Sequence, residues 1–501
     1  MSLDNVPVAD TTISITLEDC VEVLDNLRKP VNNSERLARI ENKKANELYP
    51  YYGATGQVGW IDDYLFDGEF IALGEDGVPF LDPFKNKAYM LHGKTWVNNH
   101  AHVLLAIKGV SINKYIFYFL NYFDYLGYVN GGTRLKLTQA NMRKIPINLP
   151  SLNEQQEIVR QLDVMLAQVE QIKARLDAIP AILKKFRQSI LADAVSGKLT
   201  EEWRLENIND DLNSELIQIK KNRESKVVGS QKRSLDFSVD ENLKPDVDLP
   251  DSWKLVGLGD LIEFLTDYHA NGSYEKLRDH VTLLDEENYA CMIRATNFEK
   301  NNFDDLLIYI DQTAYEFLTK TKLFGNEILI SKIGNAGSVY LMPKLNRPCS
   351  LAMNLFMLRF DEDLVNPRYI NYFLTSIFGE KYISQYVRGV ATKSIDKKSV
   401  RNVFVHYPCF NEQNQIVKVI DQLFEYVNRI EETVKSAQKR VNLLTQSILA
   451  KAFSGELTAE WREQHQDLIT GVNSAEALLV KIQAEREASK PAKKTRKNKE
   501  V

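Results

Sequence analysis

The sequence contains no apolar run approaching the roughly 18 residues needed for a membrane-spanning helix. Its first twenty residues do not place a basic stretch before an apolar core, so no secretory leader is expected and a cytoplasmic location is. Only four cysteines occur, Cys20, Cys291, Cys349 and Cys409, without a C-x-x-C pair. This argues against a disulfide framework or a thiolate zinc site and leaves reduced core residues. Positive charge is not in excess either. The 63 Lys and Arg against 68 Asp and Glu give a formal net charge of -5, which excludes a uniformly basic coat but not a local basic face.

Catalytic signatures are equally scarce. No N-P-P-[YFW] tetrad of an adenine methyltransferase occurs, since Asn366-Pro367 is followed by Arg368. A Walker A loop is missing: in "SGKLT" Leu199 separates Lys198 from Thr200, and Ala192 stands where the first glycine is required. "GATGQVG" from Gly53 lacks a following Lys-Ser/Thr and reads as a turn. His100 and His102 have no third ligand nearby and read as polar packing. The acidic "DDYLFDGE" from Asp62 lacks an E-x-K partner and reads as a solvated loop. The chain is expected to catalyse nothing by itself.

What is present is a repeat. At an offset of 258 residues, "PSLNEQQEIVRQLD" from Pro150 aligns with "PCFNEQNQIVKVID" from Pro408, and "QSILADAVSGKLTEEWR" from Gln188 with "QSILAKAFSGELTAEWR" from Gln446. About 22 of 55 aligned positions are identical. A period this long means a duplicated module, not a solenoid.

Between those anchors, Ile158, Leu162, Met165, Val169, Ile172, Leu176, Ile179, Leu183, Phe186 and Ile190 alternate spacings of four and three, and Ile416 to Ile448 follow the same pattern. This is the seam of a coiled coil. Asn153 and Asn411 suit N-caps, and Gly197 and Gly455 suit left-handed stops. Each helix should run about 44 residues, or roughly 65 Å. Pro180, present only in the first copy, should kink it. Packed on each other about a pseudo-twofold axis, the helices would be antiparallel and act as a spacer between two heads.

The heads, residues 1–149 and 251–407, differ in sequence yet share landmarks. "LEDCVEVLDN" from Leu17 resembles "LGDLIEFLTD" from Leu258, and "YVNGGTRLKLTQANMRKIPINLP" from Tyr128 resembles "YVRGVATKSIDKKSVRNVFVHYP" from Tyr386. Strand-like runs ("EFIALGEDG", "EILISKIGNAG") and helix-like ones ("INKYIFYFLNYF", "NPRYINYFLTSIF") make each head mixed α and β. The fold class is therefore α+β, two mixed heads separated by two repeated helices in an antiparallel coiled coil.

The segment before each helix is locally basic. Arg134, Lys136, Arg143 and Lys144 have no acid between them, and Arg388, Lys393, Lys397, Lys398 and Arg401 are relieved only by Asp396. Glycine-flanked basic loops suit phosphate contacts, with polar side chains reading base edges. Thr392 in the second loop, and Lys332 and Asn335 in "EILISKIGNAG", complete the candidate DNA-contacting set. Trp203 with Arg204 and Trp461 with Arg462 are the candidate partner anchors, because tryptophan and arginine are enriched at interface hot spots.

The "NEQ" opening, the long helix, the "QSILAxAxSGxLTxEWR" ending and the two divergent heads resemble the specificity subunit of Type I DNA restriction-modification systems, from about Leu17 to Arg486. That resemblance implies two target-recognition domains, each reading half of a split double-stranded DNA target. It implies repeated helices that dock two modification subunits, which carry S-adenosylmethionine and methylate adenine. Restriction subunits would add ATP- and Mg-dependent translocation and cleavage, with no cofactor or metal held by this chain. The segments read as head 1–149, repeat 150–225, linker 226–250, head 251–407, repeat 408–488 and a basic tail 489–501. Two other readings stay open on the residues alone: a protein-binding coiled-coil scaffold, and a self-contained DNA methyltransferase or nuclease.

Overall fold

The computed structural model describes residues 11–207, 212–226 and 239–489, so the basic tail beyond Ser489 and linker residues 227–238 lie outside the described residues. The chain divides into two compact units, Met1–Ala178 with Val434–Val501, and Ile179–Thr433. The units cut across the linear segments, because each long helix, Leu152–Val195 and Phe410–Ser454, contributes to both.

In the first unit a six-stranded sheet runs in the order Val21–Val23, Ala101–Ala106, Phe66–Gly74, Ala88–Val97, Tyr49–Gly53, Gly56–Ile61. The expected strand "EFIALG" is its centre, with Ile71, Ala72 and Leu73 fully buried. Helix Asn113–Tyr122 covers it, and Ile158, Leu162, Val169, Val441 and Ile448 of the long helices share its core.

The second unit distributes its strands over two four-stranded sheets. One is ordered Ile262–Asp267, Leu355–Phe360, Ile328–Ser331, Val339–Leu341, and the other Tyr309–Ile310, Ala290–Ile293, Cys349–Leu351, Lys322–Leu323. The latter brings Cys291 beside Cys349 on parallel strands, a pairing their sequence spacing hides. All four cysteines are free and buried. "NPRYINYFLTSIF" forms two helices rather than one, Pro367–Leu374 and Ile377–Ser384. The Ser376 hydroxyl caps the second by accepting from the Gly379 N–H at 3.3 Å, and no side chain fits at Gly379, where a Cβ would meet the Phe373 carbonyl at 2.2 Å.

Each head is closed by pairing its first strand with its last: Ile13–Thr16 with Pro146–Leu149, and Lys254–Gly257 with Phe404–Tyr407. The last strand then leads directly into a long helix. The expected stops are present, Gly197 at φ 83° and Gly455 at φ 84°. The expected caps are not. Ser151 caps the first helix through the Glu154 N–H, at 3.3 Å, and Glu215 accepts from the Phe410 N–H of the second, at 3.1 Å. Asn153 lies inside the helix and donates to the Leu468 carbonyl instead. The first helix is continuous through Pro180.

Within each unit the helix segments run antiparallel. In the first, Asp177 meets Gln438 while Glu154 meets Thr458; in the second, Arg187 meets Glu431 while Glu412 meets Thr200. Most seam positions are buried, but Ile172, Phe186 and Leu444 remain 45%, 44% and 46% exposed. Phe186 and Leu444 are repeat equivalents, so the seam lapses at the same place in both copies.

The repeated ending closes each unit. Glu412, buried at the start of the second helix, accepts from the Thr200 hydroxyl at 2.7 Å and the Arg204 guanidinium at 2.5 Å. Glu154 accepts from Thr458 at 2.7 Å and Arg462 at 2.6 Å. The ending of one copy thus satisfies the opening glutamate of the other. The glutamine of "NEQ" turns back to the proline before it, Gln155 to Pro150 at 3.0 Å and Gln413 to Pro408 at 2.9 Å. The clusters differ at the second carboxylate oxygen: the Trp253 indole donates to that of Glu412, at 2.8 Å, whereas Oε2 of Glu154 finds no partner among the described residues.

Candidate nucleic-acid interface

The basic segments form the same hairpin in both heads. In the first, Val129–Asn130 pairs with Lys136–Leu137. In the second, the Arg388 and Ser394 backbones exchange hydrogen bonds at 2.9 and 2.8 Å. Gly131 at φ 114° and Gly389 at φ 101° make the bend. A Cβ at either would lie 2.4 Å from the Arg134 carbonyl or 2.2 Å from that of Thr392, so both positions require glycine. A short helix follows each hairpin, Gln139–Arg143 capped by Thr138 and Lys397–Asn402 capped by Asp396.

Each hairpin is tied to the end of a sheet strand by matching backbone bonds. Leu137 N–H donates to Glu75 and Gly77 N–H to Leu135, at 2.8 and 3.1 Å; Ile395 N–H donates to Lys332 and Gly334 N–H to Lys393, both at 3.0 Å. Glu75 and Lys332 therefore occupy the same place in the two frames.

A buried aspartate secures each frame, and sequence reasoning missed both. Asp25 accepts from His102 at 2.6 Å, the Val103 N–H at 3.0 Å and Gln139 at 3.1 Å, and lies 3.2 Å from Arg28. The other ring nitrogen of His102 faces the Leu137 carbonyl at 3.0 Å, so one buried imidazole joins the sheet to the hairpin. In the second head, Asp267 accepts from Lys332 at 2.7 Å and Lys397 at 2.6 Å. Burial alone would raise both carboxyls, but the His102, Val103 and Arg28 contacts hold Asp25 below the ordinary range, and Lys332 and Lys397 do the same for Asp267. Lys397 and Gln139 are repeat equivalents, which a comparison of the two "Y-V-x-G" segments could have shown.

The remaining candidates separate by environment. In the first head Arg134 pairs with Asp76 at 2.9 Å, Lys136 with Glu75 at 3.1 Å and Arg143 with Glu18 at 3.6 Å, while Lys144 is exposed. His100 also meets Asp76, at 2.9 Å, so the two histidines serve this network; no cluster able to hold a metal occurs among the described residues. In the second head Arg388, Thr392, Lys393 and Lys398 are exposed. Asn335, also exposed, donates to Glu299 at 2.8 Å. Arg401 is half-buried, and burial together with the neighbouring Arg223 lowers its pKa.

Of the candidate partner anchors, Arg204 and Arg462 face inward, onto Glu412 and Glu154. Trp203 and Trp461 are half-buried. Trp461 stacks on His465 with centroids 5.0 Å apart, and Trp203 lines a polar hollow of about 480 Å³ with Asn414, Gln415 and Lys418.

Residues 15–181 and 250–438 match the family described as Type I restriction modification DNA specificity domain. The chain is 32% identical over 452 residues to the Type I restriction enzyme EcoDI specificity subunit of Escherichia coli, covering 90% of this chain and 91% of that protein. It is 34% identical over 379 residues to the EcoBI specificity subunit of the same species, covering 74% and 72%. A chain of a solved type I R-M system, studied for its complex assembly and conformational transition, shares the fold at a TM-score of 0.58 and 16% identity, covering 89% of this chain and 98% of that one.

Proposed function

Because the chain belongs to the Type I restriction-modification DNA specificity family, we propose that it reads a bipartite double-stranded DNA target, one half with each head, and holds two methyltransferase subunits through its repeated helices. Specificity subunits are the non-catalytic component of such systems and work with methyltransferase and restriction subunits and DNA. The observation that carries the finer reading is the paired hairpin: one backbone frame, presented twice, with different side chains on it. One frame with varied side chains is what reading two different half-sites by one docking geometry demands.

The repeated openings and endings of the helices supply a matching surface twice, which suits two copies of one partner. Trp203 and Trp461 are the aromatic anchors at that surface, with Arg204 and Arg462 holding the ending that presents them. S-adenosylmethionine, ATP and Mg are assigned to the partner subunits, in line with the missing N-P-P-[YFW] and Walker A sequences. Among the described residues no helix is long and apolar enough to cross a membrane.

Sequencing methylated adenines in cells carrying the methyltransferase subunit with and without this chain tests the reading. A split motif with an unspecified gap, lost without the chain, is expected. Methylation at a continuous motif, or none that depends on the chain, would overturn it. Exchange of residues 1–149 for another first head should alter one half of the motif and leave the other.

A further inference from the structure

The two hairpins share a frame but not its electrostatics. The strand end that clamps the first hairpin carries Glu75 and Asp76, and these carboxylates lie 3.1 and 2.9 Å from Lys136 and Arg134. Both carboxylates are themselves partly buried and tied to further groups, Glu75 to Arg28 at 2.9 Å and Asp76 to His100 at 2.9 Å. Turning away when the cations they face meet another anion would break these contacts. In the second frame Lys332 stands in place of Glu75, and the next residue is the uncharged Ile333. Lys332 is held by Asp267. The hairpin cations Arg388 and Lys393 are exposed and make no ion pair within 4 Å among the described residues. The carboxylate of Asp396, whose field reaches Arg388, is engaged with the Ser399 N–H at 2.7 Å.

We propose that the second hairpin, residues 387–395, is the phosphate-binding anchor of the molecule, and that the first hairpin, with its cations already neutralised by Glu75 and Asp76, docks with little phosphate neutralisation of its own. This rests on the DNA reading above. A cation facing open solvent takes a phosphate and releases its condensed counterion to the bulk. A cation held about 3 Å from a fixed carboxylate brings that negative charge along, which repels the phosphate and cancels much of the gain. Non-specific attachment and early encounter then fall to the second head, and the first engages once the chain is on DNA.

The test uses the full chain and a duplex of roughly 30 base pairs of arbitrary sequence, with affinity measured between about 50 and 200 mM NaCl. The double variant R388Q/K393Q is expected to reduce the slope of log affinity against log salt by about 1.8, at roughly 0.9 per lost phosphate contact. R134Q/K136Q should reduce it by less than half as much. Asp76→Asn, which frees Arg134, should steepen the slope by up to about 0.9. All substituted side chains but Asp76 are exposed, and thermal melting confirms that each variant is folded before it is compared. Equal losses from the two double variants, or a larger loss from the first hairpin, would overturn the inference while leaving the DNA reading intact. A wild-type chain with no salt-dependent affinity would instead overturn the DNA reading, and this inference with it.

Discussion

The closing clusters of the two units use the same atoms of the same residue types, whereas the two hairpins share a backbone and exchange almost every side chain. In the clusters, Thr, Arg and Glu meet with separations equal to within about 0.1 Å. In the frames, Glu75 is answered by Lys332, Gln139 by Lys397 and Arg134 by Thr392. What has to close on itself is thus kept twice, and what meets DNA on the proposed reading is varied on a fixed support.

The largest effect should come from breaking the closure. Glu412→Ala strands Arg204, Thr200 and the Trp253 indole in a mostly buried site and should cost about 3–5 kcal/mol. Glu154→Ala should cost about 1 kcal/mol less, since its second oxygen has no partner to lose. Hydrogen exchange read separately over the two units measures this, because a chain of two units need not unfold in one step. Equal losses would show that the indole bond adds nothing.

Next come the bends. Gly389→Ala and Gly131→Ala each force a Cβ against a backbone carbonyl at positive φ, a strain of about 1–3 kcal/mol that the hairpin relieves by moving. Each should cut affinity for one half of the target by roughly tenfold and leave the other half read as before. Loss of both halves from one substitution would contradict independent frames.

Smaller, and dependent on pH, is Asp267→Asn. The folded carboxyl sits below its ordinary value, so its contribution is fully present above about pH 4 and is lost as the pH falls through the folded value. At pH 7 the substitution should cost about 1–2 kcal/mol by removing the negative charge and one of the two oxygens that accept from Lys332 and Lys397, and the gap to wild type should narrow on acidification. Paired denaturation curves at pH 7 and pH 3 measure it, and a gap that widens in acid would reverse the assignment.

Smallest of all are Phe186→Gln and Leu444→Gln. These seam positions are 44% and 46% exposed, so each should shift stability by no more than about 0.5 kcal/mol. If the helices hold the methyltransferase subunits, the same substitutions should weaken assembly, which co-purification would detect.

Those two residues also mark where the sequence was legible and where it was not. The repeat, both helices, their glycine stops and the paired basic segments follow from local pattern alone. The heptad reading placed Phe186 and Leu444 inside because spacing reports a face of a helix, not whether a neighbour covers it along the whole length. Asn153 and Asn411 look like caps in sequence, yet Ser151 and Glu215 take that role, the latter from a different helix. The basic residues of the first head suggested a positive surface. Glu75, Asp76 and Asp25 lie some 60 to 110 positions away in sequence, and only the folded sheet brings them to the hairpin. The identical Glu, Thr and Arg of the two copies were on view from the start. Their pairing across copies, and not within one, needed the antiparallel packing to be seen.

That cross-pairing has a consequence for inheritance. Since the ending of either copy fits the opening of the other with the same two contacts, a genetic crossover anywhere inside the repeated stretch would still yield a chain whose closures match. Heads could be reassorted between relatives without any compensating change at the junctions. If each head reads half of a target as proposed, new combinations of half-targets would then arise in single recombination events rather than by gradual remodelling of a binding surface.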